Sequence, residues 1–288
     1  MNFKLLLVLL VLIAPVNGED YHELDEIIID ECNIAIDEDN VEAVLEGDLS
    51  CDSQEYGILI GADNVRLDCQ GHTIDGYFYG EGYSGIYIGN AEGIVIQNCN
   101  IRNFYNGIKL NNANMVVIAN NVISYNYYGI YVFSSDGNEL RDNTVNENNM
   151  NPVFMWNSNY NSVSENDFRY NGGGVYLITS YYNEFINNSI DSNRGLYGLK
   201  LSFSDSNVLH GNYVNGNSGN GLLMVHSEDN EINDMRLCGN SGSDISILNP
   251  GNNNLGNIFC DDKSPEWLPD EICISCRFDY PEDLFGMQ

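Results

Sequence analysis

The chain has 288 residues, and 42 acidic residues against 11 Lys plus Arg leave a formal charge of −31 and a pI near 4.1. Such a surface repels phosphate backbones and argues against nucleic acid as a partner. The acidity reads as solubility in water or salt, because capture of a divalent cation needs clustered oxygen ligands rather than abundance.

The N-terminus comes first. Lys4 precedes an apolar run, Leu5 to Ile13, and small residues stand at Val16 and Gly18. Residues 1–18 read as a cleavable secretory signal, which predicts a secreted or cell-surface chain starting near Glu19. The run is short for a membrane span, and a retained anchor is the alternative. No membrane span is expected in the mature chain. Residues 19–55, acidic and without the later repeat, read as an irregular N-terminal cap.

From residue 56 to 262 the chain repeats itself every 22 to 24 residues, apart from one insertion, Tyr77 to Ser84, between the first two coils. Coil starts read GILI at Gly57, GIYI at Gly85, GIKL at Gly107, GIYV at Gly129 and PVFM at Pro152. They continue with GVYL at Gly174, GLKL at Gly198, GLLM at Gly221 and DISI at Asp244. Each block alternates in and out as a short strand must. A second strand points Leu140, Val163, Phe185, Leu209 and Ile232 inward; a third is marked by Val145, Phe168, Ile190, Val214, Leu237 and Phe259. Three short strands per coil at a fixed period predict an all-β parallel β-helix of about nine coils. The right-handed preference of parallel crossovers gives its hand. Leucine-rich repeats and propeller blades fail on consensus and period.

Asn, with 44 copies, recurs in step. Asn138, Asn161, Asn183, Asn207 and Asn230 share one coil position; Asn143, Asn166, Asn188 and Asn212 share another. Asn tolerates left-handed backbone at turns, and stacked amides can hydrogen-bond along the axis. Ala91, Ala113, Ser135, Ser158, Ser180, Ser204 and Ser227 form a small-residue stack expected to face inward at a corner. Residues 263–288, with Trp267, Phe278 and three of the six Pro, read as a C-terminal cap.

The stretches NVRLDCQGHTIDG (Asn64 to Gly76) and GIVIQNCNIRNFYNGIKL (Gly93 to Leu110) resemble the repeats of the NosD-like family, and more broadly the pectate-lyase-like superfamily. The resemblance covers roughly residues 45 to 262. It implies the parallel β-helix, and for function a range from lyases and glycosidases to adhesins and binding proteins. The copper-binding label of the family implies metal delivery, for which the sequence holds no His, Met or Cys cluster.

Eight cysteines in an exported chain suggest disulfides. Cys238 and Cys260 follow Leu237 and Phe259, taken as one coil position in adjacent rungs, and are expected to pair. Cys69 with Cys99, Cys32 with Cys51, and Cys273 with Cys276 complete the expected set.

The outward residue two after each coil start gives a stripe: Leu59, Tyr87, Lys109, Tyr131, Phe154, Tyr176, Lys200, Leu223 and Ser246. Two residues further, Phe133, Trp156 and Ile178 widen it, and Tyr105, Tyr127, Tyr128, Tyr170 and Tyr197 precede the same strand. An aromatic patch of this size marks a contact surface, although aromatic ladders also stabilise sheets by themselves. Flat rings suit sugar faces, and the lysines suit uronic or sulfated groups. The expected ligand-binding set is Tyr87, Lys109, Tyr131, Phe133, Phe154, Trp156, Tyr176 and Lys200, on a non-catalytic protein binding a polysaccharide or surface glycan.

The competing class is a polysaccharide lyase or glycoside hydrolase. The resemblance implies calcium-bound carboxylates with a basic residue for the lyases, and paired or triple Asp for the hydrolases. Candidates are Asp136, Asp205 and Asp229 with Lys109 or Lys200, but Asn159 and Tyr182 interrupt the acidic series. No catalytic or metal set is assigned, and no cofactor is expected unless calcium serves a lyase. His22, His72, His210 and His226 fall in different places. A structural or adhesive protein is the third class, which the sequon at Asn187 also suits.

Overall fold

The computed structural model describes residues 25–261 apart from 53, 78, 79 and 250, together with 263–264 and 273–276. The secretory-signal reading, most of the C-terminal cap and His22 lie outside these residues. Among the described residues, thirty short strands wind into a parallel β-helix with three sheets.

Sheet 1, built from the first strand of each coil, has 11 strands. All nine predicted coil starts stack in it, with Ile34–Ile36 before them and Lys263–Ser264 after. Sheet 2 also has 11 strands, from Asp25–Ile29 to Asn254–Gly256. Sheet 3 is drawn as five strands and three strands, joined by single bridges through Asp167, Ser189 and Tyr213. Residues 25–51 are therefore regular rungs: Ile27 pairs with Ala43, Ala35 with Leu59, and Ser50 with Asp75. The repeat lacks its Gly-apolar signature there, which is why the sequence reads as irregular.

The inward residues form one continuous core. Leu140, Val163, Phe185, Leu209 and Ile232 are in register and fully buried. Glycine opens most coils because the corner is crowded. A Cβ on Gly107 would stand 2.4 Å from Ile123 Cγ2 and 2.7 Å from the Gly129 carbonyl oxygen.

Asparagine ladders close the corners. Asn138 donates to Asn161 Oδ1, which column continues through Asn183, Asn207 and Asn230; Asn143, Asn166, Asn188 and Asn212 form the second. A third, unread in the sequence, runs Asn126, Asn148, Asn171, Asn193, Asn217, Asn240. The left-handed residue is not the ladder Asn but the one before it, as at Gly137, Tyr160, Asp142 and Glu165. The kink turns the chain, and the Asn behind it points inward to bind backbone. The serine column does the same, with Ser135 Oγ accepting from the Ala113 N–H at 3.0 Å.

Cys32–Cys51 and Cys69–Cys99 form as expected. The other two pairings do not. The bonds are Cys238–Cys276 and Cys260–Cys273. Sheet 3 pairs Leu237 with Cys260 and Arg236 with Phe259, one residue off the register that the sequence suggested. Cys260 therefore points into the core, away from Cys238, and the CxxC segment laid over this end meets each of them separately. Four disulfides belong to an oxidising, non-cytosolic compartment. No helix of the described residues is long and apolar enough to cross a membrane.

Candidate functional site

The stripe falls in register on the outer face of sheet 1. Tyr87, Lys109 and Tyr131 are direct neighbours, followed by Phe154, Tyr176, Lys200 and Leu223. Phe133, Trp156 and Ile178 form the parallel column. Alternation explains this: the coil-start apolar residues point in, so their neighbours must point out.

The rings interlock rather than lie open. Tyr131 and Phe154 centroids are 5.1 Å apart, Phe154 and Tyr176 5.4 Å, and Phe133 and Trp156 5.2 Å. Tyr128 meets Tyr131 and Phe154 edge-on or tilted, and Tyr105 stacks on Tyr127 at 4.7 Å. Trp156 is exposed at 45%, and the other seven expected contact residues are half-buried. Each aromatic pair of this geometry contributes about 0.5–1.5 kcal/mol beyond its burial, so the face stabilises the sheet whatever it binds.

Both lysines lie over rings. Lys109 Nζ is 5.8 Å from the Tyr87 centroid and 5.7 Å from that of Tyr131; Lys200 Nζ is 4.5 Å from Tyr176 and 5.3 Å from Tyr197. Among the described residues neither forms an ion pair with a carboxylate. Burial pushes the Tyr128 phenol up to about 12 and raises Tyr131 and Tyr197 as well. These hydroxyls are neutral donors at ordinary pH. Lys109, Glu81, Tyr105, Tyr128 and Tyr131 line a cleft of about 300 Å³ beside the stripe.

Two residues of this surface escaped the sequence reading. Tyr56 packs on Tyr87 at 5.1 Å, and Asn111 donates to the Tyr87 hydroxyl at 2.8 Å. Their signal was the same alternation, one position before the coil start and four after it. Tyr170 departs from the expected wall: it stands around the corner, in a groove with Tyr125.

The acidic candidates serve the turns. Asp136 Oδ1 accepts from the Asn159 N–H at 2.7 Å, and Asp205 Oδ1 from the Glu228 N–H at 2.8 Å. The column runs Asp136, Asn159, Tyr181, Asp205, Glu228, so Asp229 and Tyr182 belong one position on. Three rungs separate Asp136 from Asp205, about 14 Å at strand spacing. That is wider than the carboxylate pairs of glycosidases, about 5–9.5 Å.

Residues 25–195 match the family model of NosD, a periplasmic copper-binding protein. The chain belongs to the NosD family. No curated protein sequence matches it. Solved structures share the fold at low identity. A periplasmic alginate epimerase, AlgG, aligns at 16% identity and TM-score 0.58, over 76% of this chain and 71% of its own. DFA-IIIase from Arthrobacter chlorophenolicus aligns at 14% and 0.62, over 81% and 69%. The enzymatically active domain of tailspike protein 2 from bacteriophage CBA120 aligns at 14% and 0.62, over 84% of this chain but 42% of its own.

The NosD name implies copper, which favours Cys, Met and His ligands. All eight cysteines are in disulfides. His72 sits by Asp48, His210 by Asp234, and His226 stacks on Phe203. Among the described residues no group of three or more His, Cys, Asp or Glu is placed to hold a metal. The described cysteines and histidines do not fit a copper centre.

Proposed function

We propose that this NosD-family chain is an exported, non-catalytic protein that binds an extended acidic polysaccharide along the outer face of sheet 1. The observation that carries it is the in-register column Tyr87, Lys109, Tyr131, Phe154, Tyr176, Lys200, in which both lysines lack carboxylate partners among the described residues. In a chain of charge −31, two lysines set among rings without an ion-pair partner among the described residues attract an anion. Rungs repeat at about 4.8 Å, which lets one chain of sugars follow the axis and meet successive rings. One protein of similar fold is an alginate epimerase, and alginate is an acidic glycan, which supports the reading.

The test is titration of the secreted chain with polymannuronate and polygalacturonate, with and without calcium, while following released product. Binding without turnover is expected. Phe154→Ala combined with Trp156→Ala weakens it at least about tenfold. Lys109→Ala with Lys200→Ala weakens it and flattens its salt dependence. Turnover would replace the reading with a lyase or hydrolase, and no binding would leave a structural or adhesive role.

A further inference from the structure

A second surface lies around the corner between sheet 3 and sheet 1. Tyr125, Glu147, Asn149, Tyr170, Ser192 and Arg194 line an open groove of about 640 Å³, larger than the cleft beside Lys109. The third asparagine ladder builds it. Tyr125, Glu147, Tyr170 and Ser192 each precede a ladder Asn, so they stand on four successive rungs and project outward where the chain kinks. Asn149 and Arg194 each follow a ladder Asn, with Gly172 at the rung between them. A side chain at Gly172 is barred, since its Cβ would run into the Asn149 carbonyl.

Three features point to a ligand. First, the backbone is unfavourable for these residues: φ is 59° at Tyr125, 54° at Glu147 and 61° at Tyr170. Asn103, at φ 64° one rung before Tyr125, is the residue type this conformation favours. Bulky residues in that region cost free energy, here as at other corners where Met115, Tyr160, Tyr182 and Phe203 share the conformation. Second, core packing does not explain the rings, because Tyr125 and Tyr170 are 50% and 53% exposed. They stand two rungs apart, about 9.6 Å, too far to stack on each other. The left-handed Tyr160 and Tyr182, by contrast, stack at 5.1 Å. Third, the polar groups between the rings are held in place. The Tyr125 hydroxyl bonds the Glu147 carboxylate, and Arg194 Nη2 donates to the Tyr170 carbonyl at 3.3 Å.

We propose that this groove is a second saccharide site, taking a short neutral oligosaccharide or the end of a longer one. Two rings present apolar faces to sugar C–H surfaces. Glu147 accepts from hydroxyl groups, and Arg194 and Asn149 donate to them. One carboxylate and one guanidinium balance, so the groove selects neither acidic nor basic sugars, unlike the lysine-bearing face of sheet 1. The volume lies within the range of small-ligand sites, about 300–1,000 Å³.

Calorimetry on the full secreted chain tests this, with cellotriose and mannotriose as neutral probes, a mannuronate trimer as the acidic one and a chitosan trimer as the basic one. A neutral trimer is expected to bind best. Tyr170→Ala and Arg194→Ala each weaken it roughly tenfold or more, and Phe154→Ala changes it less than about twofold. Tyr170→Asn is the decisive variant: it supplies the residue the kink favours, so the melting temperature holds or rises while binding is lost. No neutral binding up to about 10 mM, unchanged affinity in Tyr170→Asn, or preference for a charged trimer overturns the proposal. Failure of the sheet 1 reading registers separately, in the acidic-polymer titration and its Phe154 and Trp156 variants.

Discussion

Asn143 donates both its backbone N–H and its side-chain amide to one oxygen, Asn166 Oδ1, at 2.9 and 3.0 Å. Asn166 in turn donates to the Leu140 carbonyl at 2.8 Å and to Asn188 Oδ1 at 3.0 Å. One buried amide thus satisfies groups on three rungs. Asn166→Ala leaves the Asn143 N–H without its acceptor in the core, at about 1–3 kcal/mol. A loss of roughly 1–3 kcal/mol is expected in chemical denaturation. Asn166→Asp keeps the acceptor but removes the donors and buries a charge, so at neutral pH it is expected to cost at least as much. A loss under about 1 kcal/mol would mean that water replaces the ladder.

The corner glycines make a sharper steric prediction. Gly107→Ala places a methyl against Ile123 and the Gly129 carbonyl, and overpacking of this kind costs about 1–3 kcal/mol. Gly47→Ala meets nothing within 4 Å and is the control. A lowered melting temperature for Gly107→Ala alone is expected. Equal behaviour of the two would show that the corner relaxes freely.

The disulfides can be read directly. Non-reducing peptide mapping by mass spectrometry is expected to recover Cys238 linked to Cys276 and Cys260 linked to Cys273. Cys260→Ser with Cys273→Ser removes a link that tethers residues beyond the last complete coil to sheet 3, and faster proteolysis of that end should follow. Recovery of a Cys273–Cys276 link would refute this arrangement.

That pairing also shows where the sequence was legible. The coil starts, the inward columns and two asparagine ladders follow from a period that each residue type obeys on its own. The outward stripe was legible too, because alternation transmits the core register to the surface. A repeat without its marker was not, as in the rungs of Ile34–Ile36 and Leu49–Cys51. Neither was a one-residue slip near the C-terminal end, where Phe259 occupies the position of Arg236. The groove at Tyr125 and Tyr170 was hidden for a different reason: its residues share a kink rather than a strand, and kink positions carry no hydrophobic period.

The aromatic face finally makes a pH prediction. Burial first, and then the neighbouring Tyr105, Tyr127 and Tyr131, hold the Tyr128 proton up to about 12 against 10 for an ordinary phenol. The folded chain keeps that proton when the unfolded chain has lost it, so the contribution is complete below pH 10. It falls away as pH rises from about 10 to 12, because ionisation then favours the unfolded state. Ultraviolet titration should show a late tyrosinate fraction near pH 12 that Tyr128→Phe reduces. The thermal midpoint of the wild type should drop across this window more steeply than that of Tyr128→Phe, which has no phenol to ionise at that position. If Tyr128 ionises with the exposed tyrosines near pH 10, the packing of Tyr128 against Tyr131 and Phe154 is looser than centroid distances of 5.5 and 5.7 Å imply, and the face is open to water.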